Sequence, residues 1–312
     1  MTYPIPEHET WFIHTPTKID NYMGCQRQYL YEYIFGWSPA SERNDKWFGT
    51  SWHKGQEHLL LTDYSDLNVM KAFDLFLAKY REKFDESTDE LFSPKNPATA
   101  MRAYAKYVGR WARDHEDYEV LYTEIAVTVP LDEDITMHCN LDSIVRRRKD
   151  KKYGSIDHKT GKASPSRTWR DKFNLCSQSG GYHHVLYCLY SFEEVFGMEF
   201  SGTFFLKTKN DFERHPVYRD KSSMQNWLWN ALWWIDSINH DIERFSEAKD
   251  SDPVLQCFPM NTENCTKYWG CTYHDFCMAW DNPLRFAEAP PLGFKKEYWD
   301  PREQESTHEM IL

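Results

Sequence analysis

Apolar positions recur with two different periods along this chain. Residues 17–35 place Ile19, Tyr22, Cys25, Tyr29 and Tyr33 at three- and four-residue steps, the spacing of one helical face, and Thr15 or Thr17 can cap the start. Further helices are predicted over 47–61, 66–84 and 98–115, with Pro94 and Pro97 breaking the chain between the last two. From Tyr118 the pattern becomes an alternation of β-branched and aromatic residues, so 118–130, 135–147 and 152–160 read as three successive strands. Their short connections, 131–134 and the basic 149–154, predict antiparallel hairpins. Helical spacing returns over 174–196 through Leu175, Tyr182, Leu186, Leu189 and Tyr190, followed by a strand at 199–207 and a Trp-rich helix at 222–247. Beyond Asp252 the periodicity fades, and 281–312 reads as a partly ordered extension.

With 312 residues, 41% of them hydrophobic, the chain can build one substantial core or a core with a smaller module. No segment approaches the roughly 20 apolar residues of a membrane span. The opening residues lack the basic and apolar regions of a secretory signal, so the expected location is the cytoplasm, bacterial or of a phage-infected host. A net charge of −11 means that any contact with phosphates must be local. One run can supply it: Arg146, Arg147, Arg148, Lys149, Lys151 and Lys152, either a solvated hairpin tip or a DNA contact. The string at 160–162 resembles a phosphate loop, but Ala163 stands where Ser or Thr is required and the upstream glycine is absent, which excludes an ATP-driven motor of that type. No nucleophile elbow and no dinucleotide fingerprint occur either.

Metal-assisted phosphodiester hydrolysis needs carboxylates close enough to share a cation, and a positive group to offset developing charge. Residues two apart on a strand face the same side, so Asp157 and Lys159 point together while the His158 side chain points away. Asp142, on the preceding strand, can meet them across the hairpin. Taken alone, an Asp-x-Lys is more often an exposed ion pair. Its surroundings change that: His53 lies on an upstream helix with Glu57 one turn later, Glu124 sits in the first strand, and Gln178 and Tyr182 share a face of the next helix.

In order and spacing, these residues resemble the RecB-like branch of the PD-(D/E)xK nucleases over roughly residues 17–280. The resemblance implies an α/β, restriction-endonuclease-like core: a mixed central sheet flanked by helices, with a helical N-terminal part and a cysteine-rich C-terminal region. It implies a single nuclease domain over 1–280, with a helical insertion at about 62–117 and a cluster region at 25 and 257–280. His53, Asp142 and Asp157 would be ligands of Mg²⁺ or Mn²⁺, joined by the backbone carbonyl of Ile156 or His158. Lys159 would orient water and stabilise the reacting phosphate, Gln178 and Tyr182 would support it, and Glu124 is a further catalytic candidate. Cys139 stands where the family often has glycine.

Eight cysteines are hard to explain as disulfides in a reducing compartment, which makes metal ligation the better question. Cys139, Cys176 and Cys188 read as small buried residues, and Cys257 as packing. Cys265, Cys271 and Cys277 are evenly spaced, and Cys25 lies far upstream. This set resembles the iron–sulfur subgroup of RecB-like exonucleases, CRISPR-associated and phage-type members included, which implies a [4Fe–4S] cluster stapling the chain ends. Zinc and plain buried thiols remain the competing readings.

The expected function is therefore a metal-dependent DNA exonuclease acting on single-stranded or free ends, in recombination, repair or phage DNA processing. The alternative is a nuclease-fold DNA-binding or assembly module with little catalysis, partnering a helicase or recombinase.

Overall fold

A computed structural model describes residues 2–267 and 270–312. In chain order the helices are α1 (Pro16–Gly24), α2 (Gln26–Tyr29), α3 (Asn44–Leu61), α4 (Asp66–Arg81), α5 (Pro97–Arg110), α6 (Asp114–Asp117), α7 (Arg167–Leu175), α8 (Ser177–Leu189), α9 (Lys221–Glu247) and α10 (His274–Ala279). The strands are β1 (Trp37–Pro39), β2 (Tyr118–Pro130), β3 (Thr136–Arg147), β4 (Tyr153–Gly161), β5 (Val195–Phe205), β6 (Asn210–Val217), β7 (Phe294–Lys296) and β8 (His308–Ile311). The chain forms two compact units: 1–41, 130–138 and 225–304 make one, and 42–129, 139–224 and 305–312 the other. No helix among the described residues is long and apolar enough to cross a membrane.

The second unit carries the six-stranded mixed sheet, in the order β6-β5-β4-β3-β2-β8. β4 and β5 run parallel with a long register that includes Asp157 beside Phe200, His158 beside Ser201 and Lys159 beside Gly202. Alternation along β5 assigns helices to both faces. Phe200 stacks on Phe173 and Phe204 meets Trp169, both from α7, whereas Phe205 packs against Phe48 and Trp52 of α3 and Ser201 faces the Tyr107 hydroxyl of α5. Asp157 and Lys159 thus share the α7 face and the His158 ring lies on the α3 face. Helices α3, α4 and α5 enclose an aromatic core of Phe48, Trp52, Phe76, Tyr80, Tyr104 and Tyr107. Local chemistry sets their starts: Asn96 caps α5 reciprocally with Thr99, with Pro97 at its first position, and Ser166 caps α7.

In the first unit Tyr31 stacks between Trp37 and Tyr273, beside Ile238, Ile242 and Phe245 of α9. β1 and β7 pair antiparallel, and the Tyr22 hydroxyl donates to Asp241 at 2.7 Å.

Several expectations are corrected. The helix expected over 17–35 breaks at Cys25, whose backbone is extended; there Arg27 N donates to Pro259 O, its guanidinium to Phe258 O, and the Asn261 side chain to Gly24 O. Contacts remote in sequence outweigh helical periodicity at that point. The helix expected over 174–196 is in fact the end of α7, then α8, then the start of β5, with the Cys176 thiol accepting from Ser179 N at the α8 start. Its neighbour β6 escaped notice because its residues are polar, and the segment beyond 281 supplies two strands. Of the three cysteines expected to be small buried residues, Cys139 is buried, Cys176 is half-buried and Cys188 is exposed.

The helical layer tolerates no added atom at Gly55. A Cβ there would sit 2.0 Å from the Tyr104 hydroxyl and 2.7 Å from the Ala72 carbonyl. Gly55→Ala should therefore lose about 1–2 kcal/mol of stability in chemical denaturation despite the roughly 1 kcal/mol that alanine gains in helix propensity.

Candidate active site

The paired register of β3 and β4 comprises Val145 with Gly154 and Arg146 with Tyr153. Further along, side chains replace the ladder. The buried Ser143 hydroxyl donates to Ile156 O at 2.9 Å and accepts from Ile156 N at 3.3 Å, and one Asp142 oxygen accepts from His158 N at 2.6 Å. Buried peptide groups must be satisfied, and here Ser143 and Asp142 satisfy them while the strands part.

Residues from both sheet faces converge on that opening. From α3, His53 lies 3.3 Å from Asp142 through Nδ1 and donates from Nε2 to His158 O at 2.9 Å. From β2, Glu124 joins them: ligand atoms of His53, Glu124 and Asp142 all lie within 4.8 Å of one another. On the α7 face, Lys159 pairs with Asp157 at 2.8 Å, and the Gln178 amide donates to Asp157 at 3.4 Å and to the Tyr182 hydroxyl at 2.9 Å. Tyr182 in turn donates to Asn140 O. Asp157 is not one of the three mutually close ligands; it stands beside them, 1% exposed, with the Gln178 amide on Oδ1 and the Lys159 ammonium 2.8 Å from Oδ2.

Glu124 adopts a left-handed backbone, φ +43°, inside a strand. A residue with a Cβ is held there at a cost of about 1–2 kcal/mol, which marks a position imposed by its surroundings. Glu57 takes no place among the three, bonding instead to the Thr123 hydroxyl and Lys54.

The charges interlock. Burial pushes the Glu124 carboxyl up to about 8, aided by Asp142, and pushes Asp157 up to about 6 against the pull of Lys159. Burial would lower His53, but Asp142, Glu124 and Asp157 outweigh it and raise it to about 9. Burial likewise opposes ionisation of Asp142, yet the His53 and Lys159 cations hold that carboxyl well below its usual range. Lys159 is raised by Asp157 and Asp142 despite its burial and stays an ammonium.

Such a set fits a hard divalent cation: carboxylate oxygens and one imidazole within 4.8 Å of one another, with the Asp157 carboxylate next to them. A family model matches residues 14–218 to the PD-(D/E)XK nuclease superfamily. The chain belongs to this superfamily. The PD-(D/E)XK assignment implies a metal-dependent nuclease with DNA as substrate, and the mixed sheet between helices agrees with the restriction-endonuclease-like fold. One similar solved structure is the crystal structure of SSO0001, at 11% identity and a TM-score of 0.24, covering 59% of this chain and 84% of that one. No curated protein matches.

Ser143 and Asn140 went unmarked in the sequence; both flank Asp142 closely enough that adjacency was the available signal. The basic run lies at the β3–β4 hairpin and is partly neutralised. Arg147 forms a two-point pair with Asp150, Arg146 lies 3.7 Å from Glu119, and Arg148 donates to Tyr118 O; Lys149 and Lys151 are exposed, and Lys152 is half-buried.

Cys25 and Cys265 act on the Cys271 thiol, and Cys25 and Cys271 on the Cys277 thiol, so the four thiols share one neighbourhood. Burial pushes the Cys277 thiol up to about 11. Among the described residues, no three of these sulfurs lie within 4.8 Å of one another. Tyr268 and Trp269, among the aromatics beside these cysteines, lie outside the described residues.

Metal binding to the three-ligand site requires His53, with a pKa of about 9, and Glu124, about 8, to shed protons, and Asp157, about 6, to be ionised beside them. Mn²⁺ affinity should accordingly rise as pH goes from 6 to 9, with protons released on binding. Calorimetry in buffers of unlike ionisation heat measures both; an affinity that is flat over this window would contradict the charge assignment.

Proposed function

We propose that this PD-(D/E)XK protein is a RecB-like exonuclease that hydrolyses DNA from single-stranded or free ends with Mg²⁺ or Mn²⁺, in recombination, repair or phage DNA processing. The observation that carries the proposal is the meeting of His53, Glu124 and Asp142 within ligand distance, with the Asp157–Lys159 pair alongside.

His53, Glu124 and Asp142 would hold the cation, with the Asp157 carboxylate beside them and the His158 carbonyl at the rim. When bound, the cation would polarise the scissile phosphate and acidify a water. Asp157 and Asp142 hold Lys159 as an ammonium before a cation arrives, a form that can donate to phosphate oxygen and offset growing negative charge. Gln178 fixes the Asp157 carboxylate, and Tyr182, tied to Asn140, fixes Gln178. The α7-side residues thereby hold the Asp157–Lys159 pair in register with the cation site.

Preference for an end rests on the resemblance to RecB-like exonucleases, and the charge distribution agrees with threading of a strand. An acidic body repels DNA over most of its area, and attraction is confined to the cation, Lys159 and the hairpin. Beside the hairpin an open groove offers the rings of Phe192, Phe196 and Tyr218 for bases and the cations Arg147, Lys152 and Lys221 for phosphates, two of which pair with Asp150 and Glu193 of the same groove.

The four gathered cysteines would hold a [4Fe–4S] cluster. Thiolates are the expected ligands of such a cluster, and the sequence lacks the paired, closely spaced cysteine knuckles usual for a four-cysteine zinc site.

Asp157→Ala and Lys159→Ala should each reduce Mg²⁺-dependent cleavage of end-labelled DNA by at least about 100-fold while leaving DNA binding nearly unchanged; undiminished cleavage by either variant would reject the site. Anaerobic purification should yield a brown protein containing iron. A colourless, zinc-loaded preparation would remove the cluster and leave the nuclease assignment standing.

A further inference from the structure

Glu124 reaches the centre only because its backbone turns left-handed in the middle of β2, and a strand does not adopt that turn unaided. The segment 305–312 meets β2 at this point. Thr307 N donates to Glu124 O at 2.9 Å, and the Thr307 hydroxyl donates to Thr123 O, so both carbonyls flanking the turn are bound by one residue. Immediately afterwards β8 settles into parallel pairing, His308 beside Ile125 through Ile311 beside Thr128, and Leu312 N closes on Thr128 O at 3.0 Å. Immediately before, Glu305 binds Lys54 of α3 at 2.7 Å and Lys79 of α4 at 3.3 Å. Lys54 lies one residue after His53.

We propose that Thr307 is a positioning residue for the metal centre: by binding the carbonyls of Thr123 and Glu124 it holds the turn that aims the Glu124 carboxylate at His53 and Asp142. This rests on the reading of those three side chains as the cation site. The strand pairing on one side and the Glu305 ion pairs on the other fix Thr307 from both directions, so its two hydrogen bonds act on the turn and not on a floating segment. Loss of the hydroxyl frees Thr123 O, lets the left-handed residue relax towards ordinary strand geometry, and swings the carboxylate away from the other ligands.

The test is a double-mutant cycle on Mn²⁺ binding, read from the electron paramagnetic resonance signal of the free ion, with the melting temperature recorded for every variant. Thr307→Val should weaken Mn²⁺ binding about fivefold, the worth of one part-buried hydrogen bond, and Thr307→Ser should restore it. Glu124→Gln should weaken binding on the order of tenfold, and Thr307→Val should add little in the Glu124→Gln background, because both act through one carboxylate. Saturating Mn²⁺ should return the cleavage rate of Thr307→Val to that of the unchanged chain. A Thr307→Val effect that is absent, or that persists in full when Glu124 is already Gln, overturns the proposal while the metal centre stands. Mn²⁺ binding indifferent to Glu124→Gln overturns the metal-centre reading itself, and this inference with it.

Discussion

The parting of β3 from β4 is the constraint on which the site depends. A continuous ladder would consume the peptide groups of Ile156 and His158 and close the sheet. Ser143 and Asp142 instead bond those groups with side chains, so the strands stand apart with the Ile156 and His158 amides still satisfied. Into that gap come His53 from one face and Gln178 from the other. Asp142 serves twice, as acceptor for a backbone amide and as the carboxylate beside His53. Its ionised form is therefore favoured by the fold before any cation arrives, whereas burial presses Glu124 and Asp157 towards neutrality.

Much of the site was legible in the residues because its parts obey short-range rules. Asp157 and Lys159 share a face through strand alternation, Gln178 and Tyr182 through the helical turn, and both relations survive in the structure. Strands β2, β3 and β4 fall almost where alternation put them. What could not be read depends on partners far along the chain. Glu124 gains its place among the ligands from a left-handed residue, which strand periodicity does not foresee. Cys25 interrupts a regular helical pattern because the 257–261 segment supplies competing hydrogen bonds. β6 has no apolar alternation to announce it, and its existence follows from the register with β5.

The basic run shows why charge counted along a sequence overstates charge available to a ligand. Six cations become fewer once Arg147 is held by Asp150 and Arg146 approaches Glu119. The exposed Lys149 and Lys151 keep their freedom, and such residues steer encounter more than they fix a bound geometry.

β6 ends the sheet on one side, and an outermost strand offers backbone donors and acceptors to any extended chain that approaches. Its composition works against that. Pro216 removes one donor, and the ion pairs Lys209–Asp211 and Arg170–Glu213 lie along the strand, so a second strand would meet a gap in bonding and would have to strip water from charged side chains. The polar character that hid this strand from pattern reading is thus also what keeps the sheet from growing by edge-to-edge addition.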